Sequence, residues 1–321
     1  MAKNIFVFCE QRDGEIQSVA LELLGVVKQL ATVSGEQVCA LLLGSNVADK
    51  ASQLVAYGAD VVYVVDDVNL AQFVTEPYTQ AITQIAREYQ PNAMLFGATS
   101  IGRDLAPRLS ARLKTGLTAD CTQLEIDQDG NLFMTRPAFG GNLFATIVCP
   151  EHKPQMSTVR PGVMKMMEPD YNRQGEVVSK TIAWDKSKFV VEVVEEVKEV
   201  QTVEKIEEAK LLVSCGRGVK DLTEAQNLAT KLGGTVSASR CLVDAGMVDH
   251  NRQVGQTGKT VRPQVYFAFG ISGAIQHLAG MEESEYIVAV NTDKSAPIFK
   301  VANLGIVADA QAVIKQLNKL I

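Results

Sequence analysis

The chain has 321 residues, of which 46% are hydrophobic and 21% charged, and its formal net charge is −6 at pH 7. This composition is typical of a globular protein, and the negative charge excludes a broad nucleic-acid-binding surface. The length exceeds what one hydrophobic core usually serves, so we expect two domains. Because no apolar run is long enough to span a bilayer and no signal peptide is recognisable, we expect a cytoplasmic protein without a membrane span.

The six cysteines are scattered along the chain, without a C-x-x-C pair or a spacing typical of metal ligands. Most of them lie in apolar runs such as FVFC and TIVC, where a reduced and packed thiol is the ordinary state. We therefore expect no metal site and, in a cytoplasmic protein, no structural disulfides.

The amino-terminal half alternates apolar runs with segments of helical periodicity such as SVALELLGVVKQLA and YTQAITQIAREY. Its apolar runs are NIFVFCEQ (4–11), VCALLLG (38–44), VVYVVDD (61–67) and AMLFGATS (93–100). Continuous apolar strands separated by helices predict a parallel sheet covered on both faces. After residue 118, TADCTQLEID, NLFMTRPAFGG and NLFATIVCP predict antiparallel strands added to this domain, with DQDG as a hairpin turn.

Residues 190–210 combine valines with glutamates and lysines, which predicts a half-exposed strand followed by a charged linker. We place the domain boundary in this segment, which gives domains of residues 1–200 and 201–321. The second domain begins with LLVSC, the loop GRGVKD and a helix that Asp221 should cap. The runs TVSASR, QVYFAFG, YIVAVN and PIFKVA predict further buried strands, and DAQAVIKQLNKLI a closing helix. The predicted fold class is α/β, with a mainly parallel sheet flanked by helices in each domain.

Four loops of the second domain carry glycine or polar residues near the ends of predicted strands: GRG (216–218), SASR (237–240), VGQTGK (254–259) and GISGAIQH (270–277). In an open α/β sheet the carboxyl ends of the strands share one edge, where ligands bind. The GISGAIQH turn resembles a strand-to-helix turn that holds a phosphate, although ordinary turn chemistry explains it equally well. Together the four loops predict a large, elongated ligand.

The stretch QVGQTGKT (253–260) resembles a phosphate-binding P-loop in which Gln253 replaces the first glycine. No H-E-x-x-H, G-x-S-x-G or paired carboxylates indicate a catalytic site, which suggests that a cofactor supplies the chemistry. His277 and Arg240 lie in two of the four loops, but a lone histidine in a helix is more often structural, and an arginine after a strand is more often a salt-bridge partner than a cofactor contact.

The segments SASRCLVDAGMVDHNRQVGQTGKTVRP (237–263), GISGAIQHLAGM (270–281), IVAVNTDKSAPIF (287–299) and NLGIVADAQAV (303–313) resemble the alpha subunit of electron transfer flavoprotein. GATSIGRDLAPRLSARLKTGLTADC (97–121) in the first domain is similar as well. The resemblance implies a Rossmann-like second domain that binds FAD, and a first domain that pairs with a beta subunit. It also implies that VGQTGK contacts the flavin and does not bind a triphosphate.

The resemblance also implies roles for individual residues. Arg240 would lie against the isoalloxazine, Thr257 near the flavin N5, and His277 near its N1 and C2 carbonyl, where a positive or donating group would stabilise negative charge. The implied FAD-binding residues are Arg217, Ser239, Arg240, Val254, Gly255, Gln256, Thr257, Ser272, Gly273, Ala274, Ile275, Gln276, His277, Asn291 and Asp309. Structural alternatives stay open for Ser239, as the end of a strand, and for Asp309, as a helix cap.

By this resemblance the chain is an electron carrier and not a classical enzyme. It would form a heterodimer with a beta subunit carrying AMP or a second FAD, and pass electrons between a dehydrogenase, such as acyl-CoA dehydrogenase, and a redox acceptor. Alternatively, the complex would bifurcate electrons, oxidising NADH and reducing ferredoxin or flavodoxin together with an enoyl-CoA-type acceptor. Two other hypotheses are a P-loop nucleotidase that uses Lys259 and Thr260, and a structural subunit with an empty site.

Overall fold

A computed structural model describes residues 3–138, 143–197 and 205–321 of the chain. The chain divides into two compact units, Met1–Val197 and Lys198–Ile321. The boundary that we place at residue 200 lies outside the described residues. Within those residues, no helix combines the length and the apolar character needed to cross a bilayer.

The first unit is built from twelve described strands and four α-helices. The strands are β1 (Ile5–Phe8), β2 (Gln11–Arg12), β3 (Glu15–Ile16), β4 (Val38–Gly44), β5 (Val61–Asp66), β6 (Ala93–Gly97), β7 (Leu117–Cys121), β8 (Gln123–Ile126), β9 (Leu132–Ala138), β10 (Leu143–Ile147), β11 (Gln155–Val159) and β12 (Glu176–Ser179). The helices are α1 (Ser18–Ser34), α2 (Ala51–Ala56), α3 (Thr75–Tyr89) and α4 (Ser100–Leu113).

Seven of these strands form a parallel sheet in the order β12-β5-β4-β1-β6-β11-β7. Helices α1 and α2 pack on one face and α3 and α4 on the other, so the central strands β1, β4 and β6 are buried on both sides. Strands β8, β9 and β10 form a separate antiparallel sheet, while β2 and β3 form a small hairpin. The parallel sheet covered on both faces confirms the predicted fold class.

The segment SIGRD (100–104) forms the first turn of α4, because the Thr99 hydroxyl accepts a hydrogen bond from the Gly102 amide and caps the helix. One local prediction in this unit was wrong. No strand forms over residues 190–197, where Val190 and Val194 are 86% and 94% exposed. Strands β11 and β12 were not predicted, because they are short and carry polar residues.

The second unit holds one parallel sheet of five strands in the order β14-β13-β15-β16-β17. The strands are β13 (Leu211–Cys215), β14 (Thr235–Ala238), β15 (Val265–Phe269), β16 (Tyr286–Asn291) and β17 (Leu304–Val307). The helices are α5 (Leu222–Lys231), α6 (Arg240–Asp244), α7 (Ile275–Leu278) and α8 (Ala310–Leu320). Apolar cores fill both faces of the sheet, and the strand order reverses between β13 and β15.

Helix α5 begins and ends as its sequence indicates. The Asp221 carboxylate accepts a hydrogen bond from the Thr223 amide, and Gly233 takes a left-handed conformation with φ of 67° after the last turn. The strand predicted at PIFKVA was wrong, because Pro297–Lys300 form a 3₁₀ helix and the edge strand is Leu304–Val307 instead. Ile298 is fully buried in that helix, so its apolar character could not separate a buried turn from a strand.

Candidate functional site

A cavity of about 680 Å³ opens at the carboxyl-terminal edge of the sheet in the second unit. Its walls include loops that follow β13, β14, β15, β16 and β17, and it lies where the strand order reverses. This is the edge where open α/β sheets bind ligands, and the volume is that of a small-molecule site. The predicted site residues that line the cavity are Arg217, Ser239, Arg240, Val254, Gly255, Gln256, Thr257, Ser272, Ala274, Gln276, His277, Asn291 and Asp309.

Two predicted site residues, Gly273 and Ile275, do not line the cavity. Gly273 has φ of +85°, and a Cβ atom at this position would lie 2.2 Å from the Ile298 amide nitrogen. Residue 273 must therefore be glycine, because of its backbone conformation and because the Ile298 backbone packs directly against it. The following helix, α7, has only four residues. The positive helix end that we expected at GISGAIQH is therefore weak, and the backbone and side chains of the loop are what line the cavity.

The GRG and GISG loops touch each other through their backbones. A Cβ atom on Gly218 would lie 2.9 Å from the Cα atom of Gly270, so neither loop could carry a side chain at the contact. The Asn291 side chain fixes the same region, since its amide nitrogen donates to the Ile271 carbonyl at 2.9 Å. These contacts hold Ser272 at the wall of the cavity.

The VGQTGK loop differs from a P-loop in its geometry. The Lys259 amide donates to the Gln253 carbonyl at 2.7 Å, and the Gln253 side chain, which is 3% exposed, donates to the Thr257 hydroxyl at 3.0 Å. Lys259 forms an ion pair with Glu207 at 2.6 Å and does not line the cavity. A P-loop runs into a helix and points its lysine at the phosphates, whereas residues 260–264 form no helix.

The VGQTGK loop is tied instead to the GISGAIQH segment. The Gln256 amide donates to the Gln276 carbonyl at 2.7 Å, and a Cβ atom on Gly255 would lie 2.8 Å from the same carbonyl. The close approach explains why residue 255 is glycine, and it brings Gln256, Thr257 and His277 to one cavity. Two loops that are distant in sequence therefore form a single wall.

His277 is buried at this wall and bonded on one side only. Its Nε2 lies 2.9 Å from the Tyr266 hydroxyl, while its Nδ1 is buried and has no hydrogen-bond partner among the described residues. Burial lowers the pKa of His277 to about 4, although the Val254 backbone carbonyl acts in the opposite direction. The imidazole is therefore neutral at pH 7 and supplies no positive charge to the cavity.

Positive charge at the cavity comes from Arg217, Lys220 and Arg240, against the single carboxylate of Asp309. The Arg240 guanidinium forms an ion pair with Asp244 at 3.2 Å, and the Arg240 side chain is 68% exposed. The Asp309 carboxylate also accepts a hydrogen bond from the Ala312 amide and caps α8, which is the structural role that the sequence left open for it. The balance of charge favours an anionic ligand.

In the first unit, the strand order reverses between β1 and β6, and protein side chains occupy the position where a ligand would bind. The Glu10 carboxylate, which is 1% exposed, accepts hydrogen bonds from the Thr99 hydroxyl and the Arg12 guanidinium. A carboxylate therefore stands beside the start of α4, where an α/β fold would otherwise accept an anion.

Comparisons with known proteins agree with this architecture. The family model described as the electron transfer flavoprotein domain matches residues 5–183, and the model described as the electron transfer flavoprotein FAD-binding domain matches residues 205–282. The electron transfer flavoprotein subunit alpha of Thermoanaerobacterium thermosaccharolyticum is 52% identical over 318 residues, which cover 98% of this chain and 96% of the relative. The chain belongs to the electron transfer flavoprotein alpha subunit family.

Two further relatives show the breadth of this family. The electron transfer flavoprotein subunit alpha of Clostridium acetobutylicum is 50% identical, over 98% of this chain and 96% of the relative. The lactate dehydrogenase (NAD(+),ferredoxin) subunit LctC of Acetobacterium woodii is 42% identical, over 99% of this chain and 77% of the relative. The family assignment confirms the resemblance seen in the sequence and supports flavin binding by the second unit.

The cavity of the second unit fits a flavin nucleotide. A flavin ring presents carbonyl acceptors, which the hydroxyls of Thr257 and Ser272 at the cavity wall can satisfy. A nucleotide pyrophosphate is anionic and matches the excess of cations. Lys220 belongs to this set, and the sequence analysis missed it although it lies only two residues after GRG.

The other cavity residues that the sequence analysis missed carry weaker signals. Cys241 is exposed and follows Arg240 directly. Gln253, the residue that interrupts the P-loop pattern, also reaches the wall of the cavity. The remaining residues of this set are Gly218, Gly270, Ile271, Thr292 and Ala310. Gly218, Gly270 and Ile271 lie inside two of the predicted loops, and Thr292 and Ala310 directly follow the predicted residues Asn291 and Asp309.

Proposed function

We propose that the second unit binds one FAD in this cavity and that the chain, as the alpha subunit of an electron transfer flavoprotein, carries electrons between a dehydrogenase and a redox acceptor. One observation carries the proposal: the four loops predicted from the sequence converge on a single cavity in the domain that matches the FAD-binding family model. When bound, FAD would accept and release the electrons. The protein residues bind it, orient it and exclude water from it.

In this proposal different residues of the cavity bind different parts of FAD. Thr257 donates a hydrogen bond to the flavin ring, His277 lies beside the ring, and Arg240 supplies a positive charge near it. Arg217 and Lys220 face the pyrophosphate and the adenosine part, with Asn291 holding the GISG loop in place. Loss of the Thr257 hydroxyl weakens binding of a ring that gains negative charge on reduction.

The chain acts in a heterodimer with a beta subunit that carries AMP or a second FAD. The relatives from Thermoanaerobacterium thermosaccharolyticum and Clostridium acetobutylicum are named as alpha subunits, which supports a companion chain. The electron donor that we propose is an acyl-CoA dehydrogenase or a similar dehydrogenase.

A second candidate is electron bifurcation, which one relative favours. The name of the Acetobacterium woodii relative pairs NAD(+) with ferredoxin in one enzyme. In that case the complex oxidises NADH at a second FAD in the companion subunit and divides the electrons between two acceptors. The FAD site of this chain is the same in both candidates, so the companion subunit decides between them.

The test is anaerobic co-purification of the chain with its companion subunit, followed by flavin quantification and titration with NADH. One FAD per complex that NADH does not reduce directly supports a carrier that receives electrons from a dehydrogenase. Two FAD molecules that NADH reduces rapidly support bifurcation. A complex without flavin contradicts both and supports a structural subunit.

The same preparation tests the nucleotidase hypothesis, with Lys259→Ala as the matched variant. We expect no magnesium-dependent ATP binding in either protein, because Lys259 is bound to Glu207 and does not line the cavity. ATP binding that is lost in Lys259→Ala would favour the nucleotidase.

A further inference from the structure

One side chain, that of Gln311 in the first turn of α8, holds the loop that follows β13. The Gln311 Oε1 atom accepts hydrogen bonds from the Lys220 amide at 3.1 Å and from the Asp221 amide at 2.9 Å. The Gln311 Nε2 atom donates to the Asp221 carbonyl at 3.4 Å. The oxygen of the side-chain amide thus faces two backbone donors and its nitrogen faces a backbone acceptor, so the network fixes its orientation.

The two segments that Gln311 joins both line the cavity. Lys220 lies on the loop after β13, while Asp309 and Ala310 immediately precede Gln311 at the start of α8. Strands β13 and β17, which lead into these segments, are separated in the sheet by β15 and β16. The segments therefore come from strands that are not neighbours, and the Gln311 side chain bridges them at the edge of the cavity.

Helices α5 and α8 are also joined further from the cavity. Apolar residues of both helices share one core, and the Asn318 side chain donates to the Glu224 carbonyl at 2.9 Å. These contacts do not involve the Gln311 side chain. Removing its amide would therefore leave the packing of the two helices in place and release the backbone of residues 220 and 221, which carries the Lys220 side chain at the cavity.

From these contacts we propose that Gln311 is a positioning residue, which holds the backbone of Lys220 against α8 and so places the Lys220 ammonium for the pyrophosphate of FAD. A lysine is a point charge on a flexible stem, so its contact with a phosphate depends on where its backbone is fixed. Fixing the backbone before the ligand arrives raises affinity, because less conformational freedom is lost on binding. The inference rests on the proposed function, since FAD is the ligand that Lys220 would contact.

The experiment is titration of FAD into the deflavinated complex with the companion subunit, followed by flavin fluorescence at several salt concentrations. Gln311→Leu removes the amide and should weaken FAD binding by about 5-fold, the effect of a hydrogen bond of ordinary strength. Its affinity should also fall less steeply with added salt, because the contact with the cation is weakened. The flavin potential should stay unchanged, since oxidised and reduced FAD carry the same pyrophosphate. Gln226→Leu, the same change on the exposed face of α5, is the control and should bind FAD as the wild type does.

Lys220→Ala tests whether Gln311 acts through Lys220. If it does, Lys220→Ala and the double variant that combines it with Gln311→Leu should bind FAD with the same affinity, within about 2-fold. Losses that multiply in the double variant would overturn the proposal. A lower melting temperature of Gln311→Leu with wild-type FAD affinity and salt dependence would overturn it as well, because Gln311 would then serve stability alone. A wild-type complex that binds no FAD refutes the proposed function instead.

Discussion

Gly273→Ala separates the two causes that make residue 273 a glycine. The first cause is the backbone, since φ is +85° and a left-handed conformation costs a residue other than glycine about 1–2 kcal/mol. The second is space, since the new Cβ atom would lie 2.2 Å from the nitrogen and 2.6 Å from the Cα atom of Ile298. Backbone atoms cannot rotate away as a side chain does, so this overpacking adds about 1–3 kcal/mol.

Gly233→Ala is the matched control for the backbone cost alone. Gly233 has a similar φ of +67°, but a Cβ atom there meets nothing within 4 Å. We therefore expect Gly233→Ala to destabilise the second unit by about 1–2 kcal/mol, and Gly273→Ala to destabilise it by about 2–5 kcal/mol. At about 4 °C per kcal/mol for a unit of this size, the difference is readily measured.

The assay is thermal unfolding of the complex, followed by the flavin fluorescence released from the second unit and by circular dichroism. Gly273→Ala should also retain less FAD at room temperature, because the displaced Ile298 backbone moves the neighbouring Ser272 at the cavity wall. Equal losses of melting temperature in Gly273→Ala and Gly233→Ala would refute the contact with Ile298. The effect on FAD would then belong to the ligand site itself.

Three further predictions concern the charged and titratable groups. Arg240→Ala should keep FAD but lower the flavin midpoint potential in an anaerobic redox titration, since a positive charge near the ring is lost. Lys315→Ala, on α8, is the control and should leave the potential unchanged. Equal potentials in wild type and Arg240→Ala would remove Arg240 from this role. Lys259→Ala should retain FAD fully and lower stability by no more than about 1 kcal/mol, because its ion pair with Glu207 is partly exposed; loss of FAD would contradict this. The stability of the second unit should fall by up to about 3 kcal/mol as pH falls from the ordinary pKa of histidine near 6.5 towards 4, because the unfolded chain takes up a proton that buried His277 does not. In denaturant titrations the difference in stability between wild type and His277→Gln should change over this range and stay constant above it, and a difference that is constant throughout would contradict the low pKa of His277.

Much of the fold was predictable because buried parallel strands leave a strong signal. VCALLLG and YIVAVN are continuous apolar runs, and both are strands in the structure. The signal fails where apolar residues are buried by a different local structure. PIFKVA buries Ile298 in a 3₁₀ helix, and the strand QMSTV at residues 155–159 is buried in spite of its polar residues.

The position of the candidate site was predictable in outline, because glycine and polar loops after strands mark the carboxyl edge of a sheet. Individual roles were harder, since the same residue type serves packing and binding. Gly273 looks like a phosphate-binding glycine in sequence, yet it is required by its contact with Ile298. Tyr266 looks like an ordinary core aromatic within QVYFAF, and only the structure shows its hydroxyl 2.9 Å from His277.

The central claim is that FAD binds in the cavity of the second unit, and Gln276→Glu tests it most directly. This change keeps the size of a side chain that lines the cavity and adds one negative charge, whereas Gln226→Glu makes the same change on the exposed face of α5. The measurement is the FAD content of each complex after purification with the companion subunit. We predict a full complement of this FAD in wild type and Gln226→Glu, and a clear loss in Gln276→Glu through repulsion of the anionic nucleotide. No FAD in the wild-type complex, or equal FAD in all three, would contradict the claim.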